Sequence, residues 1–136
     1  MRRVFIDTSA FFALIAREDP NHVQTRELFE QAARESWSLV TTNAVAFEAH
    51  ALVLNRARPG RIKALQFLQI IETDTYQVVR VKRADEEKAI AIIRAHQDKS
   101  YSLCDTLSFV VMERLRIRDA ISFDQDFRSY GRFTLL

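Results

Sequence analysis

Four carboxylates in this chain sit where ordinary surface acids rarely do. Asp7 directly follows the apolar run Val4-Phe5-Ile6, and Asp124 directly follows Ile121-Ser122-Phe123, with Asp126 two residues on. Glu48 lies inside Ala44-Val45-Ala46-Phe47-Glu48-Ala49-His50-Ala51-Leu52, and Asp105 inside Ser102-Leu103-Cys104-Asp105-Thr106-Leu107-Ser108-Phe109-Val110. An ionised acid in apolar surroundings is costly unless it is paired or bound to a metal. Taken singly, Glu48 reads equally well as a carboxylate on the exposed stripe of an amphipathic helix. Asp105 reads equally well as an N-cap or first-turn acid favoured by the helix dipole. Taken together, the acids form an all-oxygen set of the kind that hard cations such as Mg²⁺ and Mn²⁺ prefer. Such a pocket repels a phosphodiester until metal is present. With metal it can polarise phosphoryl oxygens, generate hydroxide from water and stabilise the leaving oxygen. The chain has no nucleophile-elbow motif, no Walker loop and only three scattered histidines, His22, His50 and His96. Phosphodiester hydrolysis by metal-activated water, without a covalent enzyme intermediate, is therefore the most economical use of these acids.

Such chemistry needs elements that bring distant acids to one place. Val4–Ile6, Ser38–Thr41, Tyr76–Val81 and Ala120–Phe123 read as strands, with Arg132–Leu136 as a possible fifth. Helical spacing and capping residues predict helices from about Ala10 to Ala16 and from Pro20-Asn21 to about Arg34. Further helices are predicted from Thr42 or Asn43 to about Asn55, over Ile62–Ile71, from about Ala84 to His96, and from about Cys104 to Leu115. In the fifth of these, Ala89, Ile90, Ile92 and Ile93 are expected to face inward. Strands alternating with helices imply βαβ units, a mostly parallel sheet and an α/β fold. In open sheets of this kind ligands bind beyond the carboxyl ends of the strands, where Asp7 and Asp124 fall.

The chain has 136 residues, enough for one domain with one sizeable core, and no repeat, linker or low-complexity tract divides it. A single domain over residues 1–136 is expected. Its formal charge of +2 does not by itself point to nucleic acid. Two basic clusters, Arg56/Arg58/Arg61/Lys63 and Arg80/Lys82/Arg83, could line an approach for phosphates, although each alone also suits a solvated surface. The one cysteine, Cys104, excludes an internal disulfide and fits a reducing compartment. The apolar run before Asp7 is too short for a signal-peptide core, and no stretch is long enough to span a bilayer. A cytoplasmic protein is expected.

Four stretches in order carry a resemblance to a known family. They are Val4-Phe5-Ile6-Asp7-Thr8-Ser9-Ala10-Phe11-Phe12, Thr41-Thr42-Asn43-Ala44-Val45-Ala46-Phe47-Glu48, Leu103-Cys104-Asp105-Thr106 and Ser122-Phe123-Asp124-Gln125-Asp126-Phe127. Over nearly its whole length the chain resembles the PIN-domain ribonucleases, and within them the VapC-type toxins of prokaryotic toxin–antitoxin pairs. The resemblance implies a PIN-like α/β/α sandwich with a mostly parallel central sheet, an Mg²⁺ or Mn²⁺ site and RNA as substrate. It also implies a homodimer and a cognate antitoxin. Carried over residue by residue, Asp7, Glu48 and Asp105 would be the core metal ligands, and Asp124 would complete the cluster directly or through water. Thr8 and Ser9 could orient a ligand or the attacking water, and Asp126 could be either a ligand or a helix cap. Cys104 departs from the more usual aliphatic residue before the third aspartate and reads as a small core residue rather than a nucleophile.

The rival enzyme class is a phosphatase of the haloacid-dehalogenase type, which needs a second aspartate two residues after the first. Ser9 stands there instead. A receiver-like signalling domain would need an early acidic dyad and a late lysine after a strand, and neither is convincing here. An RNA-processing nuclease outside a toxin–antitoxin pair fits the acids equally well, whereas an inactive PIN-fold binding module would be expected to have lost some of them. The early helix is apolar on more than one face, with Phe11, Phe12, Leu14 and Ile15 in five residues. It is therefore expected either to be buried on most sides or to offer a groove to an antitoxin segment.

Overall fold

The computed structural model describes residues 1–136. Five strands form one sheet: β1 (Arg3–Ile6), β2 (Ser38–Thr42), β3 (Tyr76–Val79), β4 (Asp119–Ile121) and β5 (Thr134–Leu135). Their order across the sheet is β3-β2-β1-β4-β5, and every pairing is parallel. Seven helices connect them: α1 (Thr8–Ile15), α2 (His22–Arg34), α3 (Asn43–Arg56), α4 (Gly60–Ile71), α5 (Arg83–Ala95), α6 (Leu103–Leu115) and α7 (Gln125–Tyr130).

The central strands are short apolar runs because both faces of the sheet are covered. Val4, Phe5, Ile6, Val40, Ala120 and Ile121 are wholly buried. Two aromatic groups mark the covering layers. Phe11 of α1 packs edge-on to Phe67 of α4, with ring centroids 5.3 Å apart, and against Tyr76 at the start of β3. Phe5 of β1 stacks on Phe127 of α7, which meets Phe109 of α6 edge-on at 4.9 Å. The polar residues inside the sheet are satisfied locally: Thr41 Oγ1 donates to the Ile6 carbonyl at 2.9 Å.

The chain runs outward from β1 to β2 and β3, then returns through α5 and α6 to β4 on the other side of β1. The crevice between the ends of β1 and β4 is thus a topological switch point, the place where an open parallel sheet accommodates a ligand. Asp7 and Asp124 flank it.

Three sequence expectations need correction. Residues 125–130 form a helix, α7, that was not anticipated. Strand β3 ends at Val79 rather than Val81, because its last partner is Thr42 and the Val81 amide is taken by Asn43 Oδ1 at 2.9 Å. Ile90 is 39% exposed rather than inward, since Ala89 and Ile92 supply the packed face of α5. The apolar α1 is largely consumed within the monomer: Phe11 and Ile15 are buried, and Phe12 is partly buried against the same core.

Candidate metal centre

Asp7 leaves the end of β1 as the N-cap residue of α1. Its side chain makes no capping bond and instead faces the β4 side of the crevice. There Oδ2 accepts hydrogen bonds from the Ser122 hydroxyl at 2.8 Å and from the Ser9 hydroxyl at 3.0 Å. Each hydroxyl has its orientation fixed by a backbone donor. Phe123 N–H donates to Ser9 Oγ at 2.9 Å, and Asp124 N–H donates to Ser122 Oγ at 3.1 Å. Both serines therefore turn their protons toward Asp7 and favour its ionised form. Burial outweighs them and pushes the Asp7 carboxyl up to about 6, with the nearby negative charge of Asp124 adding to the rise.

Asp105 is held by a capping box at the start of α6. Its amide donates to Ser102 Oγ at 3.0 Å, and its Oδ2 accepts from Ser102 N–H at 3.2 Å. Burial, followed by the charges of Asp124 and Asp7, raises this carboxyl to about 7. Asp124 is the N-cap of α7 and uses Oδ1 to accept from Asp126 N–H at 2.9 Å. Asp105, Asp124 and Asp126 each present an oxygen within 4.8 Å of the others. Four helix N-termini thus end around one crevice: α1, α3, α6 and α7. The dipoles of these helices place partial positive charge at their N-termini, which offsets some of the repulsion among the acids.

The sequence-derived residues separate into groups. Asp105 and Asp124 lie together, and the previously ambiguous Asp126 joins them. Asp7 stands outside that tight trio but close enough to raise Asp105 by its charge. Glu48 is exposed on the first turns of α3, beyond the Thr42 cap, whose hydroxyl accepts from Val45 N–H at 3.1 Å. It lies beside Cys104 and outside the trio of Asp105, Asp124 and Asp126. Burial pushes the Cys104 thiol up, and the charges of Glu48, Asp7 and Asp105 and a hydrogen bond with Glu48 push it further. A thiol held neutral in this way is a poor nucleophile. Ser9 bonds Asp7 directly, whereas the Thr8 hydroxyl is buried without a partner. His22 and His96 bond helix carbonyls through Nδ1, at Ala13 and Ile92, and take no part.

Two residues escaped the sequence reading. Ser102 was recoverable, since Ser102-Leu103-Cys104-Asp105 has the spacing of a capping box. Ser122 was not, because one hydroxyl just past the apolar strand β4 gives no local sign of a partner 115 residues away. The basic clusters also divide. Arg80, Lys82 and Arg83 follow β3 at the same sheet edge as the acids. Arg56 to Lys63 lie at the far end of α3 and the start of α4. There Arg58 N–H bonds Glu18, and Lys63 sits beside Leu14 and Ile15 at the end of α1, a helix length from Asp7.

Comparisons with known proteins identify the family. The family model described as PIN domain matches residues 4–132. The 23S rRNA-specific endonuclease VapC20 of Mycobacterium tuberculosis is 33% identical over 128 residues, covering 94% of each chain. Ribonuclease VapC26 of the same organism is 27% identical over 139 residues, covering 98% of this chain and 99% of its own. The crystal structure of VapC20, described as a sarcin-ricin loop cleaving toxin, superposes with a TM-score of 0.89 at 28% identity over 98% of both chains. A toxin–antitoxin complex from Klebsiella pneumoniae shares the fold at a TM-score of 0.66 and 13% identity, covering 96% of this chain and 95% of its own. The parallel sheet, the acids at its switch point and these matches together place the chain in the PIN-domain family, among its VapC members.

Proposed function

We propose that this chain is a divalent-metal-dependent endoribonuclease and the toxin of a toxin–antitoxin pair, acting in the cytoplasm. The observation that carries this reading is the convergence of Asp105, Asp124 and Asp126 beside the buried Asp7. Their donor set is entirely oxygen, and burial together with the neighbouring acidic charges raises two of the acids to about 6 and about 7, as expected of ligands that await a cation. Asp7, Glu48, Asp105 and Asp124, with Asp126, would hold Mg²⁺ or Mn²⁺. The ion, when bound, would supply charge to the phosphoryl oxygens and acidity to a water. The protein's own share is to orient. Ser9 and Ser122 fix one Asp7 oxygen, leaving the other for the site, and Ser102 does the same for Asp105. The neutral Cys104 thiol occupies the space beside Glu48 without competing chemistry. The two named relatives act on RNA, and one acts on 23S rRNA. Ribosomal RNA is therefore the first substrate to try.

The partners follow from the same reading. A homodimer and a short antitoxin are proposed, the latter supplying a basic side chain to the acidic crevice. No helix is long and apolar enough to cross a membrane. The test is cleavage of purified 23S rRNA by the protein with Mn²⁺ and with excess chelator. Asp7→Asn and Asp105→Asn should abolish cleavage while the far-ultraviolet circular dichroism stays native. Full activity in chelator would refute the reading. Growth arrest on expression, relieved by the neighbouring gene product, is the expected sign of the toxin role.

A further inference from the structure

We propose that the groove between α3 and α4 is a base-recognition subsite, holding one unstacked nucleobase of the RNA next to the bond that is cut. This rests on the nuclease reading above. The groove encloses about 620 Å³, within the range of small-molecule sites. Its walls are Asn43 and Phe47 of α3, Leu68, Ile71 and Glu72 at the end of α4, and Arg80 at the exit of β3.

Three features point to a base rather than to unclaimed apolar surface. First, Phe47 is 67% exposed, although it stands among residues that fill the core on either side, Val45 and Ala49. An open aromatic face is what single-stranded RNA stacks upon. Second, the groove and a proposed metal ligand share helix α3. Phe47 and Glu48 are consecutive, so their Cα atoms are about 3.8 Å apart and their side chains diverge by about 100° around the helix. One face of α3 thus borders the acids while the next borders the groove. Third, the polar groups suit a base and its phosphate. Arg80 is exposed at the sheet edge that carries the acids and enters no ion pair. Asn43 spends its Oδ1 on the Val81 amide, which leaves its NH₂ as a donor. The Glu72 carboxylate is an acceptor only. The free Watson–Crick edge of an unpaired base carries both an acceptor and an N–H donor, and so satisfies both kinds of partner.

The experiment uses the full-length protein with Mn²⁺ on 23S rRNA and on a single-stranded RNA 12-mer pool, with the products sequenced across each cut. The wild type should show a base preference at one position flanking the cut. Phe47→Ala should lower kcat/KM by about tenfold, on the scale of one lost base–aromatic stack, and flatten that preference. Phe47→Trp should keep both, and Glu72→Ala should alter which base is preferred. Mn²⁺ affinity should not change in Phe47→Ala. Phe47 is exposed, so its removal leaves no cavity in the core. Unchanged kcat/KM and base preference in Phe47→Ala would overturn the proposal. If the variant instead shifts only the oligomeric state in light scattering, the face belongs to a second copy and the proposal falls. A wild-type protein that cuts neither RNA would bring down the nuclease reading itself, a result distinct from either of these.

Discussion

Replacing Asp7 by asparagine should make the metal-free protein more stable while removing its activity. Asp7 is 3% exposed, and its carboxyl is raised from an ordinary 3.8 to about 6, chiefly by burial. At pH 8 the carboxyl is ionised in both the folded and the unfolded chain, so the fold carries the whole penalty of the buried charge. At about 1.4 kcal/mol per unit, a rise of about two units amounts to about 3 kcal/mol. The amide nearly matches the carboxylate in shape, and its oxygen can still accept from Ser9 and Ser122. For a chain of this length about 3 kcal/mol corresponds to a rise in Tm of roughly 10 °C. The penalty fades with falling pH in a defined window. Wild-type stability should increase as pH falls through about 6, and the gap between the two proteins should shrink to about 1 kcal/mol by pH 4.5. The assay is thermal unfolding in chelator at pH 8 and pH 4.5, repeated with Mn²⁺, which should stabilise the wild type far more than the variant. An asparagine variant no more stable than wild type at pH 8 without metal, or a gap that ignores pH, would refute the argument.

Other outcomes follow from the same geometry. Because Asp105 titrates at about 7 and Asp7 at about 6, protons compete with the cation. Mn²⁺ affinity should fall steeply from pH 8 to pH 5.5, with proton release seen by calorimetry in buffers of different ionisation enthalpy; a flat Kd over that range would contradict it. Ser122→Ala removes a donor to Asp7 and the acceptor for Asp124 N–H, and should weaken Mn²⁺ binding about tenfold. It should also move the pH midpoint of binding upward, which a merely destabilised variant would not do. Far from the site, Arg114 makes paired hydrogen bonds to the buried Asp85, at 2.9 and 2.8 Å. Burial alone would raise that carboxyl, but Arg114 holds it below its usual range. Arg114→Met should cost about 3 kcal/mol in urea unfolding, and adding Asp85→Asn should recover part of it.

The strands were legible because a sheet covered on both faces demands unbroken apolar runs, and Val4–Ile6 and Ala120–Ile121 are such runs. Asp7 and Asp124 were legible for the same reason, as the first acids beyond those runs. Helix α7 was not, since six residues are too few to show a helical period. Its markers were the Asp124 cap and Gly131, which takes φ +75° at the helix end, where a side chain would be strained. Asp126 could not be assigned from sequence because its place in the acidic trio depends on that helix turning back over the crevice. The hydroxyls on Asp7 were hidden by distance along the chain, for no local pattern links residue 9 to residue 122.

The division of the site between the two halves of the sequence has a consequence for the cell that makes it. Asp7 is translated early, but its partner Ser122 and the acids Asp124 and Asp126 come 115 or more residues later, and strand β4 must first dock against β1. Every chain that stops short of the fourth strand therefore carries at most Asp7, Glu48 and Asp105, and lacks Ser122, Asp124 and Asp126. The trio of Asp105, Asp124 and Asp126 can close only after synthesis has passed the fourth strand, so the order of the code delays assembly of the acidic cluster until both halves of the sheet exist.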